Sequence, residues 1–533
     1  MGAYPYLNPV VYNNFYEMLH GVYSKTPEEI AIRFRQDEVI QDISYRRLIE
    51  EVSSIYFHLK NRGIENQNIG ILSENRYEYI SIYLGTSFSN VIAPIDKESV
   101  ADVLWQQVSD FDISMLFYTN KTKELVDGHS DNKNVECINI DEVYSVIIKK
   151  KYSVDSFWEA VKDVDSDKFS VLAFTSGTTG ALKGAMLSQR NVTACLRGAL
   201  HNNVLKSPSL AVLPMNHTYG FNPGVLCTLY NGGTVCLTMD LKHFQRDLKE
   251  YDPYFVSIVP MIAEGIYNKI WAEARRSGKE KLLQRMIKLS NFLLKCKIDV
   301  RKLLFGNFLN KRLKFISCGG APLSPFYVER FMEFGVYLLN GYGLTECAPL
   351  ICINREHDMD AESVGTIIKE VDAKIAEDGE ILIKGPNVML GYYKNPEATA
   401  ESMVDGYFKT GDYGYLIERR LYVTGRKKNL IILDNGKNVS PEVLEAKLND
   451  LSWVKESVVT TRRVQNGRIL VALIYSEEPP ADIQSDIDKI NESVPAYMQL
   501  TDYELMDKEF EKNSTKKILR NKYTESDNRD DRK

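Results

Sequence analysis

The 533-residue chain has no stretch of 18 or more apolar residues, so nothing in it reads as a membrane-spanning helix. It also lacks a C-x-x-C pair. Its eight cysteines (137, 195, 227, 236, 296, 318, 347, 352) are scattered, several of them in apolar runs such as Thr234-Val235-Cys236-Leu237. That distribution predicts reduced core thiols in a cytoplasmic protein, not a disulfide frame. The seven histidines are equally dispersed, which argues against a zinc site. Met1-Gly2-Ala3-Tyr4-Pro5-Tyr6 has neither the basic nor the apolar region of a secretory signal, and Tyr6 stands where myristoylation needs Ser or Thr. A strong charge of one sign is missing too. The 66 Lys+Arg against 72 Asp+Glu leave −6, which argues against a nucleic-acid partner. That average conceals a basic segment: residues 262–314 hold 14 Lys+Arg and 4 Asp+Glu, a local net of +10.

The length suffices for several domains with large cores, and 44% hydrophobic residues exclude a disordered chain. From about 68 to 385, short apolar runs alternate with helical patterns: Asn68–Ser73, Val171–Phe174, Ala211–Met215, Val256–Pro260, Lys314–Cys318 and Val336–Leu339. This texture predicts βα units around buried parallel sheets, an α/β fold. After about 370, Glu380–Lys384 and Leu421–Thr424 read as short antiparallel strands. Beyond Gly425 follows a compact α+β pattern, including a helix from Ser440-Pro441-Glu442, with Ser as cap and Pro at the first helical position. The boundary is expected near Arg426–Asn429, and the polar stretch 522–533 is expected to be disordered.

Thr175-Ser176-Gly177-Thr178-Thr179-Gly180-Ala181-Leu182-Lys183-Gly184 follows the apolar strand Val171–Phe174. Glycines let backbone N–H groups approach an anion, hydroxyls add donors and Lys183 adds charge. It is not a Walker A loop, because Leu182 stands where the second glycine belongs, and a P-loop kinase is thereby excluded. The decamer resembles the phosphate loop of the acyl-adenylate-forming (AMP-binding) superfamily. Further motifs of that superfamily follow in order: Pro214-Met215-Asn216-His217-Thr218-Tyr219-Gly220, Gly319-Gly320-Ala321-Pro322-Leu323, Tyr342-Gly343-Leu344-Thr345-Glu346, Thr410-Gly411-Asp412, Gly425-Arg426-Lys427-Lys428 and Thr515-Lys516-Lys517-Ile518-Leu519-Arg520. The resemblance covers about residues 10–520.

It implies ATP-dependent conversion of a carboxylic acid to an acyl-AMP, with preorganised cations and donors neutralising charge at the α-phosphate. By resemblance, Thr175, Ser176, Gly177, Thr178, Thr179, Gly180 and Lys183 hold the β,γ-phosphates. Thr345 bonds the α-phosphate and Glu346 ligates Mg²⁺. Tyr342 is the platform for adenine, with Gly319, Gly320 and Ala321 lying against the base. Asp412 takes the ribose hydroxyls, Arg426 reaches ribose or α-phosphate, and His217 stands beside the substrate carboxylate. Lys517 is the lysine that reaches the carboxylate and α-phosphate from a small mobile domain, although Lys516 replaces the usual preceding glycine. Lys428 matches a pivot that swings Asn435-Gly436-Lys437-Asn438 toward a thiol channel. The implied domains are 1–425, with βα-layered sheets and a small β-subdomain, and a mobile 426–521 carrying Lys517.

Between Pro260 and Cys318 the resemblance narrows to long-chain fatty acyl-CoA synthetases, as it does at Arg426-Lys427-Lys428 and at Asp405–Asp412, where Phe408 replaces a usual Trp. The expected product is a CoA thioester of a medium- or long-chain acid. A phosphopantetheinyl carrier protein is the alternative acceptor, and a non-catalytic nucleotide binder a remote alternative. The basic segment contains a helix expected over 281–297. Leu282, Met286, Leu289 and Leu293 form its apolar stripe, Leu283, Ile287 and Leu294 lie beside it, and Lys281, Arg285, Lys288 and Lys295 lie opposite. Two readings stand: an ordinary surface helix, or peripheral contact with the inner membrane face through anionic lipid.

Overall fold

The apolar runs of the first 350 residues become strands of two sheets in a computed structural model that describes residues 5–127, 134–176, 182–434, 437–464, 467–512 and 518–524. In the first sheet, Val91–Ile95, Asn68–Leu72, Ile113–Tyr118 and Glu136–Asn139 run parallel, and Phe169–Ser176 flanks Val91–Ile95. Asn68–Leu72 is buried at every residue, which is why it shows no polar alternation. In the second, Val235–Leu237, Ser209–Ala211, Phe255–Ile258, Phe315–Cys318 and Tyr337–Tyr342 are parallel neighbours in that order. The strand expected over 211–215 ends at Ala211; Pro214, three residues on, could not donate to a ladder.

The strands of the expected β-subdomain do not stand apart. Cys352–Ile353 pairs antiparallel with Gly341–Tyr342, and through it the strands Gly365–Ile367, Arg420–Arg426, Tyr407–Ile417, Glu380–Lys384 and Asp372–Ile375 continue the second sheet. Each sheet is also completed from far along the chain. Gly391–Tyr392 pairs with Ala185–Met186 at an edge of the first, and Ile30–Gln36 pairs with Val235–Cys236 in the second. Helix Gln189–Asn202 packs against strands of both sheets and is buried at nearly every residue. A capping box starts it: Ser188 Oγ accepts from the Asn191 N–H at 3.1 Å, and Asn191 Oδ1 accepts from the Ser188 N–H at 2.8 Å.

After Arg426, the helices Pro441–Asn449 and Gln484–Glu492 and the strands Glu456–Val464, Gly467–Tyr475 and Asp502–Met506 enclose their own core around Leu444, Val459, Leu470 and Ile487. Two sequence expectations change here. Pro441 opens its helix as expected, but the Ser440 hydroxyl makes no cap bond. It lies close under Gly425, where a Cβ would meet Ser440 Oγ at 2.6 Å. At the C-terminal end, Tyr523 packs edge-on to Phe510, ring centroids 4.8 Å apart, so packing continues past the expected boundary at 521. Of the cysteines, six are buried as expected, while Cys137 and Cys296 are exposed.

The basic segment folds into helices Pro260–Arg276, Glu280–Lys295 and Arg301–Leu309. The apolar residues of the second helix do not pack alike. Leu283, Ile287 and Ser290 are buried, whereas Leu282 and Leu289 are exposed. The helix carries two apolar stripes, and hydrophobicity alone did not rank them. No helix among the described residues is long and apolar enough to cross a membrane.

Glu264, in the second turn of Pro260–Arg276, is pushed up to about 7 by burial and by the nearby Glu456 carboxylate. The folded form then keeps a proton that the unfolded chain releases near 4.5, so this contribution to stability fades as pH rises from that value through 7. Glu264→Gln should therefore be more stable than the parent above pH 7, and the two should converge toward pH 4. Thermal melts across that range check it.

Candidate active site

A cavity of about 1970 Å³ opens where the parallel strands end. Its walls include residues at or just after those ends: Glu74-Asn75, Asp96–Ser99, Thr175, Val212–Pro214, Thr238–Asp240, Val259–Ile262, Gly319–Ala321 and Gly343–Glu346. Ligands of open parallel sheets bind at that end, because only loops stand there to be varied without disturbing the core.

Antiparallel pairing of Phe169–Ser176 with Leu182–Ser188 sets Thr175 opposite Lys183 at the base of the glycine-rich loop. The Lys183 ammonium lies 4.9 Å from the centroid of the Tyr392 ring. Tyr392 in turn donates its hydroxyl to Glu346 Oε1 at 2.9 Å. Burial and the adjacent Glu346 push the Tyr392 hydroxyl up, so it remains a donor. Glu346 and Thr345 begin a short 3₁₀ turn, Thr345–Cys347, and the Glu346 carbonyl accepts from the Met389 N–H at 2.8 Å. Motif reading missed Tyr392. The contact depends on the ladder between Gly391–Tyr392 and Ala185–Met186, which no local spacing announces.

A second constellation centres on Asp412. Gly411, at φ +70°, turns the strand, and the ladder then sets Asp412 opposite Arg426. Tyr342 donates its hydroxyl to Asp412 Oδ2 at 2.7 Å, and Arg426 Nε lies 3.0 Å from Oδ1. Burial pushes the Asp412 carboxyl up, while Arg426 and Tyr342 pull it back. Gly343 is required beside Tyr342 because a Cβ there would lie 1.7 Å from the Pro349 carbonyl oxygen. The Gly319 backbone runs against the Tyr219 ring, whose hydroxyl donates to the Ile258 carbonyl at 3.1 Å. Tyr219 lies within a recognised motif but carries no assigned role in it. His217 stands at the N-cap position of the short helix Thr218–Phe221, without a side-chain cap bond, and lines the cavity.

Thr175, Lys183, His217, Gly319, Gly320, Ala321, Tyr342, Thr345, Glu346, Asp412 and Arg426 thus line one cavity. Lys428 joins them, its pKa lowered by burial and by Arg426. Lys437 does not; its ammonium lies 4.5 Å from the centroid of the Tyr497 ring. Gly177, Thr178, Thr179, Gly180, Asn435, Gly436 and Lys517 lie outside the described residues, as does the side chain of Ser176.

The AMP-binding enzyme family matches residues 21–393. The chain belongs to that family. The long-chain-fatty-acid–CoA ligase FadD15 of Mycobacterium bovis is 28% identical over 491 residues, covering 85% of this chain and 80% of that protein. The Homo sapiens long-chain-fatty-acid–CoA ligase 1 is 28% identical over 77% of this chain and 66% of its own length. Among solved structures, the anthranilate CoA ligase AuaEII in complex with anthranoyl-AMP shares 17% identity and a TM-score of 0.78, with 97% of each chain covered, a likeness of fold.

In this AMP-binding enzyme, no group of three or more His, Cys, Asp or Glu among the described residues could hold a metal ion. Glu346, beside Thr345, brings a carboxylate oxygen to the cavity. That fits Mg²⁺, which keeps waters and takes one or two carboxylates plus substrate phosphates. Asp412 tests the second constellation. Tyr342→Phe leaves a buried carboxylate short of one donor and should cost about 1–3 kcal/mol. A lowered denaturant midpoint, together with weaker nucleotide binding, is the expected result.

Proposed function

We propose that this AMP-binding enzyme activates a long-chain fatty acid with ATP and transfers the acyl group to CoA. The observation that carries the reading is the composition of the cavity. Its lining holds groups suited to a nucleotide, and also Cys195, Leu196 and Ala199 from helix Gln189–Asn202, together with Cys227 and Leu350. From Cys195 to Asn203 that stretch runs for roughly 12 Å at the helical rise. Phe255, Ile353 and Leu205 belong to one apolar cluster at its far end. An apolar arm of this length suits a flexible aliphatic chain, and the CoA ligase names of the relatives agree with it.

In this reading an acid carboxylate oxygen attacks the α-phosphorus and pyrophosphate leaves. Thr175 to Gly180 and Lys183 hold the departing phosphates, Thr345 and Arg426 the α-phosphate, and Glu346 the Mg²⁺ that offsets phosphate charge. Tyr342 and Gly319–Ala321 face adenine, Asp412 takes ribose, and His217 stands by the carboxylate. Lys517 reaches in from a mobile domain, 426–521, that moves against 1–425. A turn at Lys428 then brings the Lys437 face toward the pantetheine thiol, whose sulfur attacks the acyl carbon as AMP leaves and the thiol proton is lost. The same reading sets the enzyme against anionic membrane surfaces, where long-chain acids partition.

A panel of acids scored by AMP formation without a thiol, with CoA and with holo-carrier protein tests this. Long-chain acids with CoA should give the highest rate, and preference for the carrier protein would reassign the acceptor. Lys517→Ala should lower acid-dependent pyrophosphate exchange on the order of 10²–10³-fold while ATP binding survives, by analogy with loss of one preorganised donor. Ala199→Trp should fill the apolar arm. Each methylene denied burial forfeits about 0.8 kcal/mol, so long acids should lose on the order of tenfold or more in kcat/KM while short acids keep theirs.

A further inference from the structure

Glu380 belongs to none of the motifs and to neither constellation above, yet it is 4% exposed and lines the cavity. It opens the strand Glu380–Lys384. Gly379, at φ +91°, closes the turn before it, and the Glu380 N–H donates to Asp378 Oδ1 at 3.1 Å. The two carboxylate oxygens serve two other strands. Oε1 accepts from the Gly411 N–H at 2.9 Å, at the turn that precedes Asp412. Oε2 lies 2.8 Å from the Lys427 ammonium, which is also 2.7 Å from Asp378 Oδ2. Hydrogen bonds to Asp378 and Glu380 raise the Lys427 pKa, so the ammonium stays charged. Lys427 directly follows Arg426, the cation paired with Asp412. One buried carboxylate therefore braces both the turn that carries Asp412 and the residue beside the partner of Asp412.

The next tie along the chain belongs to the other side of the domain boundary. Asn429 Nδ2 donates to Glu442 Oε1 at 2.6 Å, and Glu442 lies in the first turn of helix Pro441–Asn449. Lys427 is thus held by the second sheet and Asn429 by a helix of the C-terminal segment, with Lys428 between them. Drawing Lys427 away would leave the Glu380 charge buried without its cation, which is costly. A change of orientation therefore proceeds more easily after Lys427 than through it.

We propose that Glu380 is a positioning residue: it holds the Asp412 turn and Lys427 as one unit, so that reorientation between the two half-reactions is confined to Lys428. This rests on the reaction and the pivot proposed above. Without the brace, rotation would spread into Lys427 and Arg426, and the C-terminal segment would lose its aim in the second orientation.

Half-reaction kinetics on the full chain test it, with palmitic acid and ATP for the first step and palmitoyl-AMP with CoA for the second. In E380Q the amide oxygen can still accept from Gly411, but the amide offers Lys427 no charge; K427M removes the same tie from its other end. Both should slow thioester formation more than acyl-AMP formation, by about tenfold in the ratio, the scale of one hydrogen bond to a charged group. E380Q/K427M should be no slower than either alone, because both break one interaction, and K427R should restore the ratio. E380A also frees the Gly411 N–H and should raise KM for ATP on the order of tenfold. Equal losses in both half-reactions would make Glu380 a merely structural residue and overturn the proposal. So would faster thioester formation in K427M, which would make the tie a lock on one orientation. Hydrogen exchange without substrates separates these outcomes from failure of the proposed reaction. The Gly411 amide should exchange faster in E380A and as in the parent in E380Q; equal protection in all three would overturn the proposal whichever acid and acceptor the enzyme uses.

Discussion

One buried carboxylate joins the parts of this protein that must cooperate. Asp412 receives Tyr342 from the last parallel strand of the second sheet and Arg426 from the final strand residue before the chain enters its C-terminal segment. An unpaired charge at such depth would cost several kcal/mol, so the three side chains are constrained to meet. Meeting fixes this part of the cavity against the point where the C-terminal segment departs. The same carboxylate is the group assigned to ribose, and each of its oxygens already has a partner. A sugar hydroxyl would therefore bind an oxygen whose direction is set beforehand, which is the sense of preorganisation.

The second constellation works by relay. Lys183 lies over the Tyr392 ring, and Tyr392 holds Glu346. A cation suited to phosphate and a carboxylate suited to Mg²⁺ would neutralise one another if they paired directly. An aromatic ring between them faces the cation with its negative π surface and offers the anion its hydroxyl. Both charges stay oriented into the cavity.

Much of the site was legible in the sequence because its chemistry restricts residue type and spacing within short segments. Thr175, Lys183, Gly319–Ala321, Tyr342, Thr345, Glu346, Asp412 and Arg426 fall in such segments and meet in one cavity. The parallel sheets were legible for a related reason: strands buried on both faces must be apolar throughout. What local pattern does not encode is which distant strand comes alongside. Tyr392 reaches Glu346 only because Gly391–Tyr392 joins a hairpin two hundred residues earlier in the chain. Helix facing was ambiguous for a different reason. Glu280–Lys295 has two apolar stripes, and its own hydrophobicity does not distinguish the one that packs. Ser440 carried a cap signature, but the close approach of Gly425 defines its surroundings.

The interlacing of the two sheets bears on how the chain is made. Ile30–Gln36, among the first strands to leave a ribosome, waits for Val235–Leu237, while the edge beside Leu182–Ser188 is not covered until Gly391–Tyr392 has been synthesised. Neither sheet is one continuous stretch of chain, so neither half can be finished before most of the polypeptide exists. During that interval the nascent chain carries open, apolar strand edges of the kind that pair with other chains. Folding and quality control, as much as catalysis, therefore constrain how this architecture can be divided, permuted or shortened.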